Sequence, residues 1–207
     1  MRKYIILIVI SLSSIVYLNA QTKFGVKGGV NLSNLAVEQD QIDDTKTKTG
    51  FTVGIFNQSQ LLRIDWLMLK SELLYTVKGS KYEIGNTKVN ANLQYLDVPL
   101  SVVVRIFNSP LTVHAGAQYS FLTKVKYEYE SPLFADDTVV DDDRDNYTKW
   151  DLGVHAGLGL DFENLTIEGR FVRGLRNVEQ DRTILSENFQ SNDTKNFGFQ
   201  ITAGLKF

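Results

Sequence analysis

The chain has no cysteine among its 207 residues, only 3 prolines and no cluster of basic residues. Without cysteine it can form no disulfide, no thiolate metal site and no cysteine nucleophile. The formal net charge of −2 and the scattered lysines and arginines give no indication of nucleic-acid binding. Aromatic residues make up 11% of the chain, and their abundance together with the shortage of proline favours β-strands.

The first twenty residues, MRKYIILIVISLSSIVYLNA, have the pattern of a secretory signal peptide. Two basic residues precede a short apolar stretch from Tyr4 to Ile10, and the segment closes on the small residue Ala20. Serines interrupt the apolar part, so an uncleaved membrane anchor is the less favoured alternative. We predict cleavage before Gln21, which exports the chain and, by removing the two basic residues, changes the formal charge from −2 to −4.

Alternating apolar and polar residues dominate the rest of the chain, and no long stretch has the period of an amphipathic helix. The pattern is clear where Leu96, Val98 and Leu100 alternate with Asp97 and Pro99. The alternation predicts eight strands, at Lys23–Asn31, Gly50–Leu61, Asp65–Val77, Gln94–Phe107, Leu111–Lys124, Thr148–Phe162, Leu165–Leu175 and Asn196–Phe207.

Short and long connections alternate between these strands. An up-and-down meander with this alternation has every long loop at one end and every tight turn at the other. The sequence therefore predicts that residues 21–207 form one all-β domain, an eight-stranded antiparallel up-and-down barrel. The tight turns are predicted around Arg63, at 108–110 and at 163–164, and the long polar loops at 32–49, 78–93, 125–147 and 176–194.

Eight such strands are compatible with two opposite constructions. A soluble lipocalin-like barrel or β-sandwich buries its apolar face, whereas an outer-membrane barrel turns that face towards lipid. Charged residues fall opposite the aliphatic ones, and aromatic residues bracket the aliphatic band, as expected of a lipid-facing surface. We therefore predict a transmembrane barrel in the outer membrane of a Gram-negative bacterium, with periplasmic termini and long extracellular loops. The bracketing aromatic residues are Tyr75, Tyr119, Phe121 and Trp150 near the long loops, and Phe107, Phe162 and Phe207 near the tight turns.

Three segments resemble the PorT-like outer-membrane β-barrel family. They are FGVKGGVNLSNL (Phe24–Leu35), YLDVPLSVVVR (Tyr95–Arg105) and GRFVRGLRNV (Gly169–Val178). The resemblance covers nearly all of the mature chain and implies an eight-stranded outer-membrane barrel. The family's namesake is tied to protein secretion, but most members have no assigned activity, so that role is not carried over to this chain.

The residues on the polar face are predicted to fill the barrel interior. An eight-stranded barrel is just wide enough for side chains to fill it. Buried charges must be paired, so we expect an ionic core that holds the barrel shut rather than a path for protons or solutes. The predicted interior network is Lys27, Lys70, Glu72, Asp97, Arg105, His114, His155, Glu168, Arg170 and Lys206.

His114 and His155, with Ser120 and either Asp97 or Asp151, contain the residue types of a hydrolase site. No serine lies in a nucleophile-elbow motif, and residue types without geometry are weak support for catalysis. We therefore predict that the protein is not an enzyme and has no cofactor.

An acidic segment, FADDTVVDDDRDNY, partly matches a calcium-binding loop. Asp141, Asp143 and Asp145 match the first three ligand positions, but Asn146 replaces the required glycine and Leu152 stands where a glutamate is needed. The favoured interpretation is an acidic loop in solvent, and the three aspartates are weak metal candidates.

Two features point to the membrane and its assembly machinery. The alternation places Arg173 on the lipid side near the long-loop rim, close to Lys124 and Lys126, where it would reach anionic lipopolysaccharide headgroups. The terminal aromatic residue Phe207 resembles the signal that barrel-insertion machinery reads.

The predicted function is a non-enzymatic outer-membrane protein with a structural or surface-interaction role. Its expected partners are outer-membrane lipid and lipopolysaccharide, the insertion machinery, and surface or periplasmic proteins. The alternatives are a helper of protein export or envelope assembly, a small ligand-binding barrel and, least favoured, a membrane hydrolase.

Overall fold

A computed structural model describes residues 22–36, 46–62, 64–84, 87–130, 138–141, 149–177 and 195–207. The predicted signal peptide, residues 1–20, lies outside the described residues. No helix long and apolar enough to cross a membrane is found in the described part of the chain. The strands within it are β1 (Thr22–Ala36), β2 (Lys46–Gln60), β3 (Leu67–Ile84), β4 (Thr87–Arg105), β5 (Leu111–Glu130), β6 (Thr138–Asp141), β7 (Trp150–Asp161), β8 (Leu165–Asn177) and β9 (Lys195–Lys206).

Eight of the nine described strands form a closed antiparallel ring. Strands β1 to β5 pair in order, β5 pairs with β7, β7 pairs with β8, and β8 pairs with β9. The ring closes where β1 pairs with β9, from Gly25↔Lys206 to Ala36↔Lys195. The predicted eight-stranded antiparallel up-and-down barrel is confirmed, and β6 is a short addition to β5.

Aliphatic side chains cover the outside of this barrel and polar ones fill its inside. Val26, Ile55 and Leu158 expose 46%, 57% and 59% of their surface, whereas Lys27 exposes only 3%. Successive side chains of a strand point to opposite faces, so this contrast recurs around the barrel, although a few apolar side chains such as Phe56, Leu74 and Tyr95 are also buried. A soluble lipocalin-like barrel would have the reverse arrangement, and the outward apolar band fits lipid.

Aromatic side chains are exposed at both ends of the band. Near the predicted long loops, Tyr119 and Trp150 are exposed and stack with their ring centroids 5.8 Å apart. Near the tight turns, Phe162 and Phe207 are exposed. These are the two aromatic girdles expected where a barrel meets the membrane interfaces.

The position of Phe107, which breaks the alternation of the fourth predicted strand, is explained by a tight turn. β4 ends at Arg105, and Phe107 and Asn108 both have positive φ angles, 47° and 46°. Positive φ at both central residues is the geometry of a type I′ hairpin turn, here closed by the Ser109 amide donating to the Ile106 oxygen at 3.1 Å. The ring of Phe107 is therefore 95% exposed beyond the strand end.

Several predicted loops prove to be strand over much of their length. β3 continues to Ile84 and β4 begins at Thr87, so nearly all of the predicted loop 78–93 is a hairpin. β5 continues to Glu130 and pairs there with β6, which lies inside the predicted loop 125–147. The prediction was wrong here because an apolar face is required only where a strand crosses lipid, and these segments extend beyond that zone.

A β-bulge at Thr123 changes the facing of side chains near the top of β5. The register shifts at this point, and Thr123 Oγ1 donates to the Gln94 oxygen at 2.9 Å. Leu122 and Val125 are consequently both buried, although residues three positions apart in a regular strand point to opposite faces. Bulges re-aim side chains in this way, and Lys124, next to this one, is partly exposed.

Candidate functional site in the barrel interior

The middle of the lumen holds five buried charged side chains from β1, β3 and β8. Lys27 Nζ lies 2.6 Å from Glu72 Oε1 and 2.6 Å from Glu168 Oε2. Arg170 Nη1 lies 2.6 Å from Glu72 Oε2, and its Nη2 lies 3.2 Å from Glu168 Oε2. Lys70 also pairs with Glu168. We call these five residues the central cluster. Each of its two carboxylates forms ion pairs with at least two cations.

The central cluster joins opposite walls of the barrel. β3 and β8 are separated by three strands on either side of the ring, so Glu72 and Arg170 project from facing walls. Lys27 comes from β1, halfway between them. An ion pair is stable in a low-dielectric interior only with close geometry, and the sharing of each carboxylate between cations supplies such close contacts. Three cations face two carboxylates, so the cluster carries one excess positive charge.

Two histidines lie against the central cluster. The rings of His114 and His155 are 6.3 Å apart, and His155 Nε2 lies 2.8 Å from Ser101 Oγ. His114 pairs across the strands with Gly157. A Cβ atom at Gly157 would lie 2.6 Å from His114 Nε2, so the glycine provides the space that the imidazole occupies.

A second cluster lies at the tight-turn end. Lys206 Nζ is 2.6 Å from Asp161 Oδ1, and Arg105 Nη2 is 3.3 Å from Asp161 Oδ2. Gln58 Nε2 donates to the same carboxylate at 3.1 Å. We call Gln58, Arg105, Asp161 and Lys206 the mouth cluster. Sequence reasoning did not include Asp161 in the interior network, because its place at a strand end resembles that of a turn residue.

A third, smaller cluster lies towards the long-loop end. Lys78 Nζ is 3.0 Å from Asp97 Oδ2, 3.4 Å from Ser120 Oγ and 4.7 Å from the centre of the Tyr95 ring. Lys78 was predicted to lie in a loop. The signal that places it in the interior is the alternation of Thr76 and Lys78, which continues the polar face of β3.

Residues 19–180 match the family model described as outer membrane protein beta-barrel domain. The chain belongs to this outer-membrane β-barrel family. Its members' fold explains why the charged face points inward and the apolar face outward. This outer-membrane barrel protein is accordingly placed in the outer membrane of a Gram-negative bacterium.

Solved structures of other outer-membrane proteins resemble the barrel at low identity. Ail of Yersinia pestis is 16% identical with a TM-score of 0.49, covering 90% of this chain and 99% of that chain. Neisserial surface protein A is 14% identical with a TM-score of 0.49, covering 89% and 97%. OprG of Pseudomonas aeruginosa is 12% identical with a TM-score of 0.42, covering 91% and 97%. A search of curated proteins found no significant match.

The other candidate residues of the outer-membrane barrel protein are not brought together as the hydrolase hypothesis requires. Ser120 Oγ accepts from Lys78 and from Gln118 Nε2, whereas His155 contacts Ser101 instead. Ser101 and His155 are almost fully buried, at 1% and 4% exposure. The one serine–histidine contact found among the described residues is therefore closed to a substrate.

The structure describes one of the three candidate metal ligands, Asp141, and the rim arginine, Arg173. Asp141 is the last residue of β6, and Asp143 and Asp145 lie outside the described residues. The described part of the chain contains no group of three or more potential metal ligands. Arg173 is exposed on the outer face of β8, beside Phe197 of β9.

Proposed function

We propose that this outer-membrane barrel protein is a non-enzymatic surface protein with a closed lumen, and that it acts through a sheet at its extracellular end. The observation that carries the proposal is the length of two strands. β4 has 19 residues and β5 has 20, whereas about 9–11 residues cross a bilayer. Both strands therefore continue well beyond the membrane.

The continuation is a hydrogen-bonded sheet rather than a loose connection. β4 and β5 pair from Arg105↔Thr112 up to Lys88↔Glu130. β5 pairs with β7 only as far as Phe121↔Trp150, and above that level β6 takes the place of β7. Among the described strands, β6 pairs with β5 alone, and we propose that an extended segment of a partner adds to its other edge.

The closed lumen follows from the central cluster. Side chains from opposite walls meet there, and eight-stranded barrels are narrow enough to be filled in this way. The proposal therefore assigns the charges a bracing role and excludes a porin-sized pore.

The expected surface partners are lipopolysaccharide and other cell-surface proteins. Arg173 is exposed on the lipid side, and Lys124, next to the bulge at Thr123, is partly exposed. A long cationic side chain at this height can extend along apolar surface and reach an anionic headgroup.

Site-specific photo-crosslinking in intact cells tests the proposal. A crosslinking residue in place of Val89, in the extended part of β4, is expected to capture surface proteins or lipopolysaccharide. The same residue in place of Phe107, in the opposite turn, is the matched control and is expected to capture neither. Captured surface partners at Phe107 alone would contradict the proposal.

The resemblance to the PorT-like family raises a role in protein export as the second candidate. That role predicts that deletion of the gene leaves exported proteins trapped in the periplasm, together with crosslinks to export components at Phe107. Normal export in the deletion strain supports the surface role. Planar bilayer recordings add an independent readout, because a steady porin-like conductance would contradict the closed lumen.

A further inference from the structure

The tight-turn end of the barrel, which is the predicted periplasmic end, contains a cavity of about 610 Å³. The mouth cluster is its floor, and the turns after β4 and β7 contribute to its walls. Its volume lies within the range of small-molecule sites, roughly 300–1,000 Å³, and such sites occur in the mouths of barrels.

The floor of the cavity has an excess of positive charge. Arg105 and Lys206 share one carboxylate, that of Asp161. Lys206 is the closer partner at 2.6 Å, whereas Arg105 makes a single contact at 3.3 Å and its side chain is 35% exposed. No other hydrogen-bond or ionic partner of the Arg105 guanidinium is found among the described residues. Its remaining donors are therefore available to an anion, and guanidinium groups bind carboxylates through two parallel hydrogen bonds.

Gln58 provides a second and independent indication of a ligand. Its side chain lines the cavity and is 5% exposed. Its Nε2 donates to Met68 Sδ and to Asp161 Oδ2, which fixes the orientation of the amide. Its Oε1 is buried and has no hydrogen-bond partner among the described residues. A buried acceptor without a donor is costly, at about 1–3 kcal/mol, so a donor that reaches Gln58 Oε1 from the cavity would stabilise the site.

The rim of the cavity carries both signs of charge. Lys23 Nζ donates to the backbone oxygen of Glu163 at 3.1 Å, and Asp65 lies on the same rim. Mixed charge at the entrance gives little attraction for polyanions. The arrangement therefore suits a ligand with a single negative group better than a polyphosphate.

We propose that this cavity binds a small periplasmic carboxylate that also carries an N–H donor, as the C-terminal residue of a short peptide does. The carboxylate pairs with Arg105 and lies near Lys206. The adjacent N–H donates to Gln58 Oε1. This binding role is separate from the surface role of the extracellular sheet.

This inference is tested by titrating small probe ligands into the purified full-length protein in detergent micelles. Calorimetry or NMR chemical-shift changes measure the binding. The probes are N-acetylglycylglycine, its C-terminal amide, acetate and inorganic phosphate. Saturable binding of the peptide acid is expected, with the amide and acetate each about 10-fold weaker or more, because each lacks one of the two recognised groups. Equal binding of acid and amide, phosphate binding as tight as that of the peptide acid, or no saturable binding overturns the proposal.

Substitutions at Arg105 and Gln58 test whether the peptide acid binds in the cavity. Arg105→Gln is expected to weaken peptide-acid binding about 10-fold or more, whereas Arg173→Gln, the same replacement on the outer face, leaves it unchanged. Gln58→Met should reduce the preference for the peptide acid over acetate, a readout that remains if Arg105→Gln fails to fold. Unaltered preference in Gln58→Met, or equal losses in both arginine variants, overturns the assignment.

Discussion

Glu72 on β3 and Arg170 on β8 project from facing walls of the barrel, and Glu72 Oε2 and Arg170 Nη1 meet at 2.6 Å. Both side chains are almost completely buried, at 0% and 1% exposure. Glu72 also pairs with Lys27, and Arg170 also pairs with Glu168, whereas their own contact and that of Lys70 with Glu168 join β3 to β8. The contact therefore ties the stability of two distant strands to each other.

Replacing Glu72 with glutamine should destabilise the barrel strongly. The change leaves Arg170 and Lys27 with one carboxylate fewer, and an uncompensated buried charge costs about 3–5 kcal/mol. Urea unfolding in lipid vesicles, followed by tryptophan fluorescence, measures the loss in the free energy of unfolding. Glu163→Gln, in the exposed β7–β8 turn, is the matched control and should change stability by less than about 0.5 kcal/mol. Equal stabilities of the two variants would count against the bracing role.

A double-mutant cycle should show that Glu72 and Arg170 act together. Because Glu72→Met and Arg170→Met each remove one ionic partner of the other residue, the double variant should be more stable than the sum of the two losses implies. Contacting residues in one network couple by about 0.5–3 kcal/mol. The same unfolding measurement is made on the wild-type protein, the two single variants and the double variant. If the two losses in the free energy of unfolding simply add, the contact between Glu72 and Arg170 contributes no coupling energy.

A lysine on the outer face should lower the free energy of unfolding strongly in the middle of the apolar band and only slightly at its end. Ile201, which pairs with Val30 in the ring closure, is 47% exposed on the outside. Ile201→Lys is expected to cost about 2–4 kcal/mol in vesicles, whereas Leu165→Lys, at the tight-turn interface, costs about 0–1 kcal/mol. Similar costs at the two depths would contradict the assigned position of the bilayer.

Deleting Phe207 should reduce assembly in the membrane. Its amide donates to the Phe24 oxygen at 2.8 Å, which holds the last residue against β1, and its ring is 77% exposed. The expected result is a lower fraction of chains that show the unboiled gel shift of a folded barrel. Phe107→Ala removes an even more exposed aromatic ring from the same end and should assemble normally. Unchanged membrane yield after deletion of Phe207 would refute the prediction.

The strands and their facing could be predicted from the sequence because lipid imposes an unbroken period of two. The alternation placed Lys27 inside and Val26 outside, and the structure has them so. The pattern stopped being informative where lipid stops, which is why Lys78 and the extensions of β4 and β5 were missed. Beyond the membrane both faces of a strand can be polar, and no apolar period remains to be detected.

The alternation of apolar and polar residues could not predict which interior charges contact one another. The period assigns a residue to a face, and strand position gives an approximate height, but neither gives a partner. Strand position placed Arg105 and Lys206 in the tight-turn half together with Glu168 and Arg170, although Arg105 and Lys206 bind Asp161 at the mouth. Partners such as Glu72 and Arg170 come from strands far apart in the chain, and their contact depends on the shear of the closed ring.

The pairing of β1 with β9 also determines when the barrel can form. These are the first and last described strands, so the hydrogen bonds between them require the largest loop closure in the barrel. Until that closure both lateral edges of the sheet are open, and the valines and leucines destined for lipid are in water. The time between export and closure is thus the interval of greatest aggregation risk, and escort by chaperones would be needed in that interval above all others.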